Sequence, residues 1–336
     1  MKGRLILLDH LNGKEAAALM VDGKLHDIFV ETDAAAPGTI YRAIAERPVK
    51  GQGGMFLRTP DGSAFLRQVK GLAQGAPILV QVSGYAERGK AIPVSSKVLF
   101  KSRYVIVTPD APGINISRQI RDEDRREVLL GLIKENFEAF EGGMILRSSC
   151  VHGTNEDILE DAENMLSLAQ AVMADADGSD ELLVEADGPH ALAWREWTEP
   201  AQIETHDGCF EDHGVLDAID ALHSAEVALT EGSYFIEPTR ACVTVDVNTG
   251  ADTSPAAALK ANIAMARDLP RQLRLRGLGG QIVIDPAPMP KKDRRQLETV
   301  LKAALKQDTV ETNFVGWTTM GLIELQRARA RSQWMV

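Results

Sequence analysis

Apolar positions alternate with polar and turn residues from the first strand-like segment onward. RLILLDH, a turn at Asn12–Gly13 and AAALMVDGKLHDIFVE carry the period of strands joined by hairpins. Between Pro37 and about Lys97 lie short β-like pieces, TIYRAIAE, GGMFLRT, SAFLRQV and PILVQVS, separated by glycine- and proline-bearing turns. Five or so short strands in so small a span predict a barrel of the oligonucleotide-binding kind. A buried strand, SRYVIVTP, comes next. It is followed by a helix over Asp122–Phe137, with acidic residues first and apolar positions at helical spacing, and by a second strand, GGMILRSS. Asn155–Asp175 reads as a long acidic amphipathic helix. From Gly232 the order is strand, helix, strand, helix, in YFIEPTRACVTVDVNTG, AAALKANIAMARDLPRQLRLRG, GGQIVIDPAPMP and KKDRRQLETVLKAALKQ. That is an α/β unit, so the whole chain is expected to be a mixed α/β and α+β multidomain protein.

Composition narrows the class. The 336 residues, 44% apolar and 25% charged, fit two or three globular modules and exclude a disordered tail, a collagen-like rod and a coiled coil. Cys150, Cys209 and Cys242 have no CxxC spacing, which removes a disulfide framework and a cysteine-rich zinc site and fits a reducing compartment. No apolar run approaches the roughly 18 residues that span a bilayer, so a soluble, cytoplasmic protein is expected. The seven histidines form no HExxH or other spaced ligand set, and GxSxG, GxGxxG and P-loop motifs are absent. Ser-His-Asp hydrolysis, dinucleotide binding and P-loop chemistry lose support.

The net charge of −11 speaks at first against a nucleic-acid partner. Its distribution changes that. Asn155–Thr230 holds 20 Asp and Glu against Arg195 alone, a local −19, so the remainder carries +8. Basic residues gather at Arg118–Arg126, Arg267–Arg276, Lys291–Arg295 and Arg327–Arg331. Either these form a polyanion site, or they are solvated helix faces and the acidic stretch serves solubility.

Two strands, VTVDVN and QIVID, carry an aspartate at or near their carboxyl ends. Ligands of such units sit outside the carboxyl ends of the strands, so Asp246 and Asp285 fall where one site would form. Asn248 shares a strand face with Asp246. This oxygen-rich set suits magnesium acting on a phosphodiester. Turn formation or helix capping is the alternative, above all for Asn248 before Thr249–Gly250. Arg271, Arg274 and Arg276 present fixed donors for a phosphate backbone, or else a basic helix C-terminus. Phe56 and Phe65 offer base-stacking faces, with Lys90 on phosphate, although packing is the commoner fate of phenylalanine. Arg147 with Ser148 can hold a terminal phosphate.

These residues carry a resemblance to the ribonuclease E/G family of bacterial endoribonucleases. It runs through FIEPTRACVTVDVNTG (235–250), LKANIAMARDLPRQLRLRGLGGQIVIDPAPM (259–289) and VGWTTMGLIELQRARAR (315–331), and more weakly through SRYVIVTPDAPGINISRQI (102–120) and GGMILRSS (142–149). The resemblance implies an N-terminal β part of an RNase H-like region (1–36), an S1-like barrel inserted after it (37–97), a 5′-sensor-like region (98–190), an acidic connecting helical region (191–230) and a DNase I-like α/β catalytic domain (231–336). It implies magnesium-dependent hydrolysis of single-stranded RNA, with manganese as a substitute. Asp246 and Asp285 match the metal ligands and Asn248 the asparagine at the scissile phosphate. Arg147 matches the arginine that senses a 5′-monophosphate, and Ser148 stands where threonine is usual. Phe56, Phe65 and Lys90 fall near the RNA-contacting positions of the barrel and sensor.

The departures carry expectations too. No CPxC zinc link occurs, so neither zinc nor a zinc-linked dimer is expected. Pro270 should kink or end its helix. Arg240 replaces the glutamate of a TEA-like triplet, and Pro286 directly follows Asp285. The rival readings are a non-catalytic RNA-binding regulator and a metabolic enzyme acting on a phosphorylated small molecule.

Overall fold

The computed structural model describes residues 3–49, 51, 53–137, 141–230 and 232–335. In chain order, β1 (Arg4–Leu11), β2 (Lys14–Val21) and β3 (Lys24–Val30) form an antiparallel meander. Five strands follow, β4 (Ile40–Val49), β5 (Gly54–Thr59), β6 (Gly62–Leu66), β7 (Pro77–Val82) and β8 (Ile92–Ser95). Next come β9 (Phe100–Lys101), β10 (Val105–Thr108), β11 (Gly113–Ile116), α1 (Glu123–Asn136), β12 (Gly143–Leu146), α2 (Asn155–Ala174), β13 (Glu181–Val184) and α3 (Pro189–Glu196). The remainder holds β14 (Gln202–Glu204), α4 (Cys209–Asp212), α5 (Val215–Leu222), β15 (Glu226–Ala228), β16 (Ser233–Pro238), β17 (Val243–Asn248), α6 (Pro255–Leu275), β18 (Gly280–Asp285), α7 (Arg294–Gln307), β19 (Thr312–Trp317) and β20 (Ile323–Arg327). These elements divide into two compact units, residues 33–200 and residues 1–32 with 201–336.

In the unit of residues 33–200, strands pair in the order β4-β5-β6-β8-β7, and β7 returns to β4, which closes a five-stranded barrel. Alternation fills it: Met55, Leu57, Ala64, Leu66, Val80 and Val82 point inward. Gly54 has no room for a side chain, since a Cβ there would meet the Phe65 ring at 2.4 Å. A second sheet, β11-β12-β10-β9, shares its core with α1 and α2 through Val105, Val107, Leu129, Ile133 and Leu146. Helix α2 contributes Ile158, Ala162, Leu166, Ala169 and Val172 at three- and four-residue spacing, which leaves Glu156, Asp157, Glu160 and Glu163 outside. Its N-cap is Thr154, whose hydroxyl accepts from Asp157 N at 3.1 Å.

In the other unit, β14 adds parallel to β1, and α4 and α5 contribute Phe210, Val215 and Ile219 to the core beneath the meander. A separate six-stranded sheet runs β15-β16-β17-β18-β20-β19. Its inward residues, among them Val245, Ile282, Ile284 and Leu325, share a core with α6 and α7. Leu297, Leu301 and Leu305 of α7 recur every fourth position, and each such buried leucine contributes about 1.5–3 kcal/mol. Pro270 does not end its helix: α6 continues to Leu275. A mid-helix proline costs about 3 kcal/mol. Here Leu269, Leu273 and Leu275 are all buried around it, and that packing offsets the missing backbone bond.

Candidate metal centre at the strand ends

The side-chain period of two decides which face of the six-stranded sheet carries chemistry. In β17, Val243, Val245 and Val247 are buried while Asp246 and Asn248 are exposed; in β18, Ile282 and Ile284 are buried while Asp285 is exposed. The two strands run parallel, and Asp246 is the register partner of Asp285. Neighbouring strands lie about 4.8 Å apart, so both carboxylates rise side by side from the face opposite the helices. Among the described residues neither has an ion-pair partner. The amide of Asn248 donates to Asp246 Oδ2 at 2.9 Å. Capping of the following helix falls instead to Ser254, which accepts from Ala257 N at 3.2 Å. Two adjacent carboxylates with an oriented amide and no neutralising cation are a donor set that fits a hard divalent ion.

The loop after Asp285 is fixed by a residue that motif reading overlooks. Asn262, completely buried in α6, donates to Ala287 O at 2.9 Å and accepts from Ala287 N at 2.9 Å. Both bonds hold the Asp285–Pro286–Ala287 turn against the helix. The available signal is an amide between Ala261 and Met265 on the apolar first half of the helix stripe, which must find partners when buried. On the other side, Gly232 (φ +84°) lets its backbone approach Asn248, where a Cβ would meet Asn248 O at 2.1 Å.

The arginines at the end of α6 are tied to the rest of their unit. Arg271 bonds Asp268 (2.8 Å) and Leu25 O (2.9 Å). Arg274, 5% exposed, pairs with Asp308 and donates to His26 O. Arg276 donates to Leu222 O and Ser224 O. Because α6 does not stop at Pro270, these arginines belong to a packed helix and not to a surface track. Arg327 joins Asp308 at 2.6 Å, which makes a buried ionic triad with Arg274. Lys291, Lys292 and Arg295, just after the Asp285 loop, stay exposed.

In the unit of residues 33–200, Phe56 and Phe65 are cross-strand partners with ring centroids 5.2 Å apart. Both point away from the barrel core and are half-buried, and Arg47 lies 4.8 Å above Phe56. Lys90 is exposed and pairs with Glu87 at 2.7 Å. Arg147 begins a 3-10 turn, Ser148–Val151. Its guanidinium donates to the carbonyls of Ser102, Arg103 and Arg195 and pairs with Glu196 at 2.9 Å. Glu196 also takes Lys101 and Arg195, each at 2.8 Å. Burial alone would raise its carboxyl, but Lys101, Arg147 and Arg195 bring it down to about 2.

Comparison with known proteins decides the family. The sequence profile of the Ribonuclease E/G family matches residues 100–201 and 193–330. The chain belongs to the Ribonuclease E/G family. Among its relatives, Ribonuclease G of Salmonella typhimurium is 28% identical across 97% of this chain and 80% of its own length. Ribonuclease G of Escherichia coli K12 gives the same figures, and Ribonuclease E of Nostoc is 26% identical over 94% of this chain and 54% of its own. The mixed α/β architecture with its closed barrel is consistent with that family. Among the described residues, no helix is long and apolar enough to cross a membrane.

Proposed function

We propose that this Ribonuclease E/G family member is an endoribonuclease that hydrolyses phosphodiester bonds of single-stranded RNA at Asp246, Asn248 and Asp285. The register of Asp246 against Asp285 carries the reading, because it brings two uncompensated carboxylates together on an open sheet face. Asp246 and Asp285 would hold magnesium, or manganese in its place. Such an ion supplies Lewis acidity and neutralises charge at the phosphodiester.

The chain's own residues do the positioning. Asn248, tied to Asp246, has a second amide N–H to offer a phosphate oxygen. Asn262 holds the turn after Asp285. Lys291, Lys292 and Arg295 are the exposed cations next in sequence, suited to the RNA backbone. Phe56 and Phe65 stack on bases, with Lys90 on phosphate. Sensing of a 5′-monophosphate at Arg147 and Ser148 requires the phosphate to displace Glu196 from the guanidinium.

The test is one unstructured RNA, made with a 5′-monophosphate and with a 5′-hydroxyl, incubated with the protein with and without magnesium. Internal cleavage only with magnesium is expected, with little difference between the two ends. RNA binding without cleavage would instead identify a regulator.

A further inference from the structure

A second group of metal-ligating side chains lies on different elements of the unit formed by residues 1–32 and 201–336. Asp9 and His10 stand near the end of β1. Strand β14 runs parallel beside β1, with Leu7 paired to Glu204, so the chain that leaves β14 turns next to Asp9. Asp207 lies in that turn, just before α4. The ligating atoms of Asp9, His10 and Asp207 all lie within 4.8 Å of one another. We propose that these three residues form a divalent transition-metal site, with zinc as its natural probe, distinct from the strand-end aspartates.

The donor chemistry carries the assignment. Magnesium and calcium are taken by oxygen-only sets, whereas an imidazole beside two carboxylates suits zinc or manganese. Three protein ligands also leave a fourth position for water, as in open zinc sites. Asp9 is held in place for such a role. It is 8% exposed, and its two oxygens accept from His10 N at 2.8 Å and Phe210 N at 3.0 Å. These bonds fix the orientation of the carboxylate beside the ligating atoms of His10 and Asp207. His10 and Asp207 are exposed, so an ion can reach the site. The two nearby imidazoles belong elsewhere: His206 bonds Asp212 at 3.0 Å and His213 bonds Glu204 at 2.8 Å.

An ion at this point would pin the N-terminal meander to the segment that returns after residue 200. That tie joins the two chain segments of the discontinuous unit. Motif reading finds no such set among the histidines because Asp207 is distant in sequence from the Asp9–His10 pair and meets it only through the β1–β14 pairing.

The experiment is calorimetric titration of zinc chloride into the metal-free full chain without RNA, paired with thermal melts. Wild type and Asp285→Asn should each bind zinc at one site and melt higher with it. His10→Ala and Asp207→Ala, both at exposed positions, should keep the wild-type circular dichroism and weaken zinc binding by at least about tenfold. Unchanged zinc affinity in both variants would overturn the proposal. So would loss of binding in Asp285→Asn, or a wild-type chain that takes up no zinc at micromolar concentrations. None of these readouts depends on RNA cleavage, so the outcome is separate from that of the proposed nuclease.

Discussion

The acids at the ends of β17 and β18 and the cations around Glu196 show two opposite treatments of charge. Asp246 and Asp285 stand side by side, exposed, with an amide as neighbour and no cation among the described residues. Arg147, Lys101 and Arg195 converge on one carboxylate, and backbone carbonyls take much of what remains on Arg147. Charge that the fold leaves uncompensated is available to a ligand; charge that it already balances holds elements together, and a ligand must first displace the internal partner. Both clusters come from residues that look equally suited to phosphate chemistry in the sequence.

The contrast breaks most sharply at the acids. Asp246→Asn should lower cleavage of a labelled oligonucleotide by about 10³-fold or more while the melting temperature stays near wild type, because the side chain is exposed. The double variant with Asp285→Asn should be little worse than either single one, as expected of two proposed ligands of one ion. Independent, multiplying losses in initial-rate measurements would separate them.

Next in size is Asn262→Leu, which strands the backbone N–H and C=O of Ala287. Denaturant unfolding should show a loss of about 1–3 kcal/mol, together with reduced turnover. Full activity would show that the Asp285 turn needs no such support. On the barrel, Phe65→Ala should weaken binding of single-stranded RNA by about 1–3 kcal/mol with the barrel intact, measured by fluorescence anisotropy. An unchanged affinity assigns the ring pair to packing.

The smallest effects concern the balanced cluster. Glu196→Gln should raise the preference for 5′-monophosphorylated over 5′-hydroxyl RNA by roughly fivefold, equivalent to about 1 kcal/mol. The pH dependence has a definite sign. Glu196 titrates at about 2 in the folded protein, below the ordinary carboxylate value, so its stabilisation is complete above about pH 5 and fades as pH falls toward 2. Melting temperatures across that window should drop in wild type, and the drop should be shallower in Glu196→Gln.

Periodicity made the fold legible. Alternating strands in 37–97 predict the barrel, and it closes; strand and helix alternation after Gly232 predicts the α/β layer, and Asp246 and Asp285 lie toward the carboxyl ends of neighbouring strands there. What periodicity could not show is which arginines find partners across the fold. Arg274 meets Asp308 and His26 only through tertiary packing, and Arg147 meets Glu196 only once α3 is in place. Pro270 misleads for the same reason, because a local cost is set against burial that only the folded helix acquires. The acidic stretch is likewise more than a solubility device. Asp175 and Glu181 pair with Arg42, and Asp161 accepts from Ser102 and Tyr104.

The most direct test is the initial rate of internal cleavage of one 5′-labelled, unstructured RNA oligonucleotide, followed against magnesium concentration for wild type and Asp285→Asn. The account predicts a saturable magnesium dependence for the wild-type chain and no cleavage above background for the variant at any magnesium concentration, with both chains equally folded. Wild-type cleavage that persists in excess chelator, or an Asp285→Asn chain that cuts at the wild-type rate, would contradict it.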